Sequence, residues 1–401
     1  MEGLSISRRG QSVPPSPIRK LVPLADEARR RGIFVHGLNI GQPDIPTPEV
    51  MWETLRGKLP TTLAYSPSGG IPELRDAFSA YYRRHGIALD PAEILVTAGG
   101  SEAILFAIGA VADSGDEVIV PEPLYANYIG FARFMSVEVR PLTCSAENGY
   151  HLPPPESWEA AVGPRTRAIL LCNPGNPTGT VYDPSEVEAI AAFAVRHGLF
   201  LIVDEVYREF CYDGRKHQSV LTIPGIDQRV ILVDSISKRF SACGARIGCL
   251  ATKNREVFDC CMRFAQARLS PPGLGQIAAV PALSLPESYY DGFVREFEGR
   301  RNTVMEMLAA TPSIRCRPPR GAFYVMATLP VDDADAFIRW MLTSFERDGE
   351  TVMAAPGDGF YATPGMGKKE IRIAYVFEEK TLRRAMSILL EGLKRYPGLQ
   401  A

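Results

Sequence analysis

The sequence predicts an α/β protein: a large three-layer domain with a mostly parallel central sheet, joined to a smaller α+β domain. Three observations lead there. Between residues 90 and 250, short β-rich runs alternate with amphipathic helical segments. Several of those runs are almost continuously apolar, as strands covered on both faces are. The C-terminal hundred residues change character, with two strand-like runs flanking a helical pattern.

The expected strands of the large domain are 93–97 (EILVT), 117–120, 137–140, 168–172 (AILLC), 199–203, 229–233 and 247–251. Helices between them carry their own punctuation. Asp183 precedes Pro184 and lies three residues before Glu186, a capping box with proline in the first turn, and Gly198 ends that helix. Pro72 opens a second helix that Gly86 closes. In the C-terminal part, strands are expected in 321–327 and 371–377, and helices over 333–346 and 379–395. The division expected is 1–45 as an N-terminal arm and part of the small domain, 46–290 as the large domain, and 291–401 as the small one.

Composition excludes several classes. With 46% hydrophobic and 22% charged residues the chain is of ordinary globular make-up, which argues against disorder and fibrous repeats. Lys plus Arg number 44 against 46 Asp plus Glu, so no bulk positive charge invites nucleic acid or an acidic membrane. The eight cysteines form no C-x-x-C pair and do not cluster with histidines at zinc spacing. Free thiols in a reducing compartment are the expectation, and no metal is implied. The N-terminus is polar and proline-rich without an apolar core, and no run is long enough to span a bilayer. A cytoplasmic location is the expectation.

Four features sit where chemistry is expected in such a fold, at strand ends. Asn173-Pro-Gly-Asn176-Pro-Thr-Gly179 follows AILLC and forms a rigid polar loop, although an ordinary loop would have similar composition. Asp204 and Glu205 end an apolar strand, with Tyr207 just beyond; a carboxylate there suits a metal, a general base or a cationic ring nitrogen, and equally a helix N-cap. Lys238 follows a buried strand and the turn Ser235-Ile-Ser237. Burial there would lower its pKa and make the amine nucleophilic, and Arg246 eight residues on could help hold a phosphate. Finally, Gly99, Gly100 and Ser101 join strand to helix, where backbone N–H groups collect around an anion. A reactive lysine, an acid, a phosphate cradle and a polar loop form the set that pyridoxal phosphate (PLP) requires.

On these motifs, from LNIGQPD at 38 to IRIAYV at 371, the sequence resembles the class I/II aminotransferases, PLP enzymes of fold type I. The resemblance implies that Lys238 forms the Schiff base with the cofactor and shuttles the proton, and that Asp204 pairs with the pyridine nitrogen. It places Tyr207 and Asn176 on the ring's 3′-oxygen, and Gly100, Ser101, Ser235 and Arg246 on the phosphate. Tyr125 would stack on the ring, core packing being the alternative. Tyr65 would reach the partner subunit's phosphate in a homodimer. Arg372 would clamp the substrate α-carboxylate, a task suited to a planar bidentate donor, and Gly41 would lie in the loop closing over it.

The implied reaction is ping-pong transfer of an amino group from an L-amino acid to a 2-oxo acid, with aspartate and 2-oxoglutarate the expected pair. Side-chain recognition stays open. Ser101 stands where an aspartate-specific branch carries a lysine, and Arg263 or Arg268 are candidates for an arginine lent by the partner. A PLP-dependent lyase is the alternative outcome on the same cofactor. A non-catalytic ligand sensor would call for a further N-terminal module before residue 38 and is the remote one.

Overall fold

The computed structural model describes residues 4–400. Its centre is a seven-stranded sheet. In spatial order the strands are Ile94–Thr97, Gly248–Ala251, Val230–Ser235, Phe200–Asp204, Thr166–Cys172, Glu117–Glu122 and Glu138–Thr143. Each overlaps its expected position. Gly248–Ala251 runs antiparallel to both neighbours, and all other pairs are parallel.

Period-two alternation explains the three layers. Val230 and Leu232 join one apolar core with Phe78 and Tyr82 of the helix Pro72–Arg84 and Ile190 of the helix Pro184–Arg196. Ile231 and Val233 join the core on the opposite face, with Ile104 and Ala107 of the helix Gly100–Val111 and Phe258 and Cys261 of the helix Arg255–Arg268. The capping box of Asp183 and Glu186 forms as expected, and Gly198 takes a φ of 69° just past that helix.

A third core gathers the C-terminal elements. Strands Ala355–Pro356, Glu370–Ala374 and Tyr324–Thr328 form an antiparallel sheet. Helices Ala334–Ser344 and Glu379–Arg395 pack on it, the latter matching its expected span from end to end. Leu21, Ala25, Ala28 and Val35 join the same core from the N-terminal segment, and Phe34–Gly37 pairs in parallel with Glu350–Met353. Residue 290, the expected edge of the large domain, lies inside an unbroken helix, Glu287–Ala309. Tyr290 packs under the large sheet, whereas Phe297, Val304 and Leu308 pack in the C-terminal core.

All eight cysteines are free thiols. Among the described residues no helix is long and apolar enough to cross a membrane.

Candidate active site

A cavity of about 310 Å³ opens at the carboxyl edge of the large sheet. The polypeptide reaches it from several strand ends at once. The turn after Thr97 delivers Gly100 and Ser101; the segment after Glu122 delivers Tyr125; the loop after Cys172 delivers Asn176; and Asp204 and Tyr207 follow their strand. Ser235 and Lys238 leave the neighbouring strand. Arg246 joins them because the next strand is reversed, so that its beginning lies at the edge where the others end. Gly41 and Arg372 complete the wall from the C-terminal side. Every residue expected to hold the cofactor or the α-carboxylate, except Tyr65, lines this one cavity. Tyr65 is 80% exposed and stands outside it.

Lys238 donates from Nζ to the carbonyl of Gly41 at 2.8 Å, and the Cys243 thiol lies 3.9 Å away. Removal from bulk water lowers the pKa of its amine; Cys243 opposes this, and the charges of Arg372 and Arg246 add to it. Asp204 is buried, and no helix starts there, so it is not an N-cap. Its Oδ2 accepts from the Tyr128 hydroxyl at 2.8 Å and its Oδ1 from the Val206 amide at 3.2 Å. Burial nevertheless pushes its carboxyl up to about 6, and among the described residues no cation pairs with it. A positive group beside it would restore its acidity.

Arg372 is 1% exposed. It donates to Asn176 Oδ1 at 2.9 Å and to the carbonyl of Asn39, and its guanidinium lies over the rings of Tyr324 and Phe360. Its Nε is buried with no partner. A buried arginine with donor capacity to spare suits a carboxylate. Tyr207 shares a 2.9 Å hydrogen bond with Tyr324 between hydroxyls, and burial raises both pKa values, so both stay neutral.

At the helix start, Gly99 has a φ of 81°, and a Cβ there would come within 2.5 Å of the Arg246 guanidinium. Arg246, itself left-handed with a φ of 53°, donates to the carbonyls of Ala98 and Cys243. Ser235 Oγ is held between Ser237 Oγ at 2.8 Å and the Ile247 carbonyl at 2.9 Å.

Comparison with known proteins settles the family. A model of the class I and II aminotransferases matches residues 35–389. The chain belongs to that family. It is 33% identical to the aspartate/prephenate aminotransferase of Thermus thermophilus, an alignment covering 98% of this chain and 100% of that one. It is also 33% identical to aromatic-amino-acid aminotransferase 2 of Thermococcus litoralis, over 98% and 99% of the two chains. Among solved structures it resembles Thermus thermophilus aspartate aminotransferase with maleate, at a TM-score of 0.88 and 32% identity over 98% and 100% of the chains. Alanine aminotransferase from Pyrococcus furiosus gives 0.89 and 30% over the same shares. The aminotransferase is therefore a PLP-dependent enzyme of fold type I that moves amino groups between amino acids and oxo acids, and a lyase outcome is not favoured.

The donor set of the aminotransferase fits that cofactor. A lysine of lowered basicity, a buried carboxylate lacking a cation, and a glycine-opened helix beside Arg246 meet in one cavity.

Several residues in or behind the wall escaped sequence reasoning. Tyr128, on Asp204, lies three positions after Tyr125, a helical spacing that was the available signal. Tyr324 lies inside the expected strand 321–327, and nothing in its surroundings marks it out. Ser16, Ile18 and Arg19 enter from the N-terminal segment. Of the two side-chain candidates, Arg268 is tied to Glu102 and to the carbonyls of Ser68 and Val96, while Arg263 is exposed on its helix; neither lines the cavity.

The loop carrying Gly41 tolerates no side chain. A Cβ at Gly41 would lie 1.7 Å from the Tyr324 hydroxyl oxygen, so Gly41→Ala must displace either the buried Tyr324 ring or the backbone that receives Lys238. We expect kcat/KM to fall about 10²-fold, the scale of a 1 Å misplacement, with little change in thermal midpoint. Steady-state kinetics and a melting curve check both.

Proposed function

We propose that the aminotransferase transfers the amino group of aspartate to 2-oxoglutarate by a ping-pong mechanism, as a homodimer in a reducing, cytoplasmic compartment. The observation that carries the mechanism is the meeting of Lys238, Asp204 and Arg372 in a single cavity. The names of relatives and neighbours, aspartate aminotransferases recurring among them, support the donor. The free cysteines agree with the compartment.

PLP, when bound, supplies a carbonyl that condenses with amines and a ring that draws electrons from the Cα–H bond. Lys238 would be the residue that holds it, through Nζ, and the same amine would be the base that carries the α-proton. Asp204, its carboxylate fixed by Tyr128 and the Val206 amide, would keep a proton on the ring nitrogen. Asn176 and Tyr207 serve the 3′-oxygen. Gly100, Ser101, Ser235 and Arg246 would hold the phosphate, and Tyr125 would pack on the ring. Arg372 grips the α-carboxylate beneath the loop of Gly41. Tyr65, free at the surface of one subunit, reaches the phosphate of the partner.

We also propose two domains, with the junction inside the helix Glu287–Ala309 rather than at a linker. The support is that its two ends pack in different cores.

A panel of amino donors against 2-oxoglutarate and pyruvate tests the reaction. Aspartate with 2-oxoglutarate should be fastest, with parallel double-reciprocal lines; steady pyruvate and ammonia release without an oxo acid would overturn it. Arg372→Ala should raise KM about 10- to 100-fold for every amino acid, the worth of a charge-assisted hydrogen bond. An effect confined to acidic substrates would contradict the clamp.

A further inference from the structure

We propose that Arg19 reads the substrate side chain, holding the distal carboxylate of an acidic amino acid or oxo acid. The inference rests on the aminotransferase reading above and names the residue that reading leaves open.

Four cationic side chains line the cavity. Lys238, Arg246 and Arg372 have work there already. Arg19 has none: among the described residues it makes no side-chain hydrogen bond and no ion pair. The one carboxylate lining the cavity is Asp204, which lies at the ring end and is engaged with Tyr128 and Val206. An uncommitted guanidinium in a wall otherwise free of acids is complementary to a second carboxylate.

The backbone beneath Arg19 is built, not loose. Residues Ser16–Lys20 form a turn in which the amides of Arg19 and Lys20 donate to the Ser16 carbonyl at 3.1 and 2.9 Å. Lys20 is tied to Asp335 at 2.7 Å and to Asp358 at 3.1 Å. Pro17 packs so closely on Gly359 that a Cβ there would meet it at 2.0 Å. The Ile18 carbonyl accepts from the buried Asn39 side chain at 2.8 Å. Asn39 in turn accepts from Arg372 through its own carbonyl.

One residue therefore bridges the turn of Arg19 to the proposed α-carboxylate clamp. The two guanidiniums are referenced to a common point, as two ends of one dicarboxylate must be. Tyr125 lies near enough to both arginines for each charge to offset part of the pKa rise that burial gives its hydroxyl.

Arg19→Gln tests this with two readouts. In kinetics, the ratio of kcat/KM for aspartate to that for alanine should fall about 10- to 100-fold, mainly through KM. In calorimetry with the PLP-loaded enzyme, succinate should bind about 10-fold or more weakly, with propionate far less affected. Arg19→Lys should recover part of both, since it restores charge without the bidentate fork.

An unchanged ratio, or equal losses for aspartate and alanine and for succinate and propionate, would overturn the assignment. A parent enzyme that transaminates no amino acid at all would instead strike the proposed function, so the two failures are separable.

Discussion

The Lys238→Ala variant is expected to transaminate at least about 10⁴-fold more slowly than the parent, the upper end of what one proton-transferring group contributes. The reason is positional. Lys238 is the one amine lining the cavity, its basicity is already lowered, and its Nζ donates to the Gly41 carbonyl in the cavity that Arg372 also lines. No neighbour replaces it, because Arg246 and Arg372 cannot give up a proton at working pH. The check is an initial rate together with the near-visible absorbance of the lysine-bound cofactor, which should vanish. An unchanged spectrum and rate would remove Lys238 from the mechanism.

Asp204→Asn should lower kcat by on the order of 10²–10³-fold, the scale for loss of one preorganised electrostatic partner. It should also change stability with a sign that identifies the cause. The buried carboxyl of Asp204 titrates near 6 instead of its ordinary 3.8. Between those values the folded protein binds more protons than the unfolded chain. The neutral carboxyl's contribution is therefore present in full below about pH 4 and lost as pH rises through 6.

Asparagine never ionises. With PLP stripped away, the variant should resist denaturant better than the parent at pH 8 by up to about 3 kcal/mol, and the gap should close toward pH 4. Restoring PLP should stabilise the parent more than the variant, because the ring nitrogen gives the carboxylate its counter-charge. A gap independent of pH would refute the burial account.

Much of this architecture was legible in the residues, for reasons that also mark the limits. Continuous apolar runs located the central strands of the large sheet because burial on both faces leaves little freedom of composition, whereas the edge strand showed as the alternation VEVR at 137–140. The site residues at strand ends were legible because polar groups there interrupt an otherwise apolar pattern, as Asn176, Asp204 and Lys238 do. Direction was not legible: a period of two is the same read either way, so nothing announced that Gly248–Ala251 runs backwards.

Nor was long-range reach. Arg19 lies in a polar, proline-rich stretch with no periodicity, and its place in the cavity depends on Asn39, Asp335, Asp358 and Gly359. The junction proposed within the helix Glu287–Ala309 was hidden for a related reason, since that helix keeps one regular pattern while its ends pack in two cores.

The reversed strand also bears on the order in which the pocket is assembled. Its pairing with Val230–Ser235 sets Gly248 opposite Ser235 and closes a segment of about twelve residues that holds Lys238 and Arg246. The contact of Lys238 with Gly41 spans 197 residues, and that of Arg372 with Asn39 spans 333. Loop-closure entropy rises with the logarithm of such separations, and local contacts tend to form before distant ones. A refolding chain is accordingly expected to bring Lys238 and Arg246 together well before it brings Arg372 to Asn39. On the proposed roles, two of the cofactor's partners are therefore in place early, whereas an amino acid has no clamp to meet until Arg372, near the end of the chain, has reached Asn39.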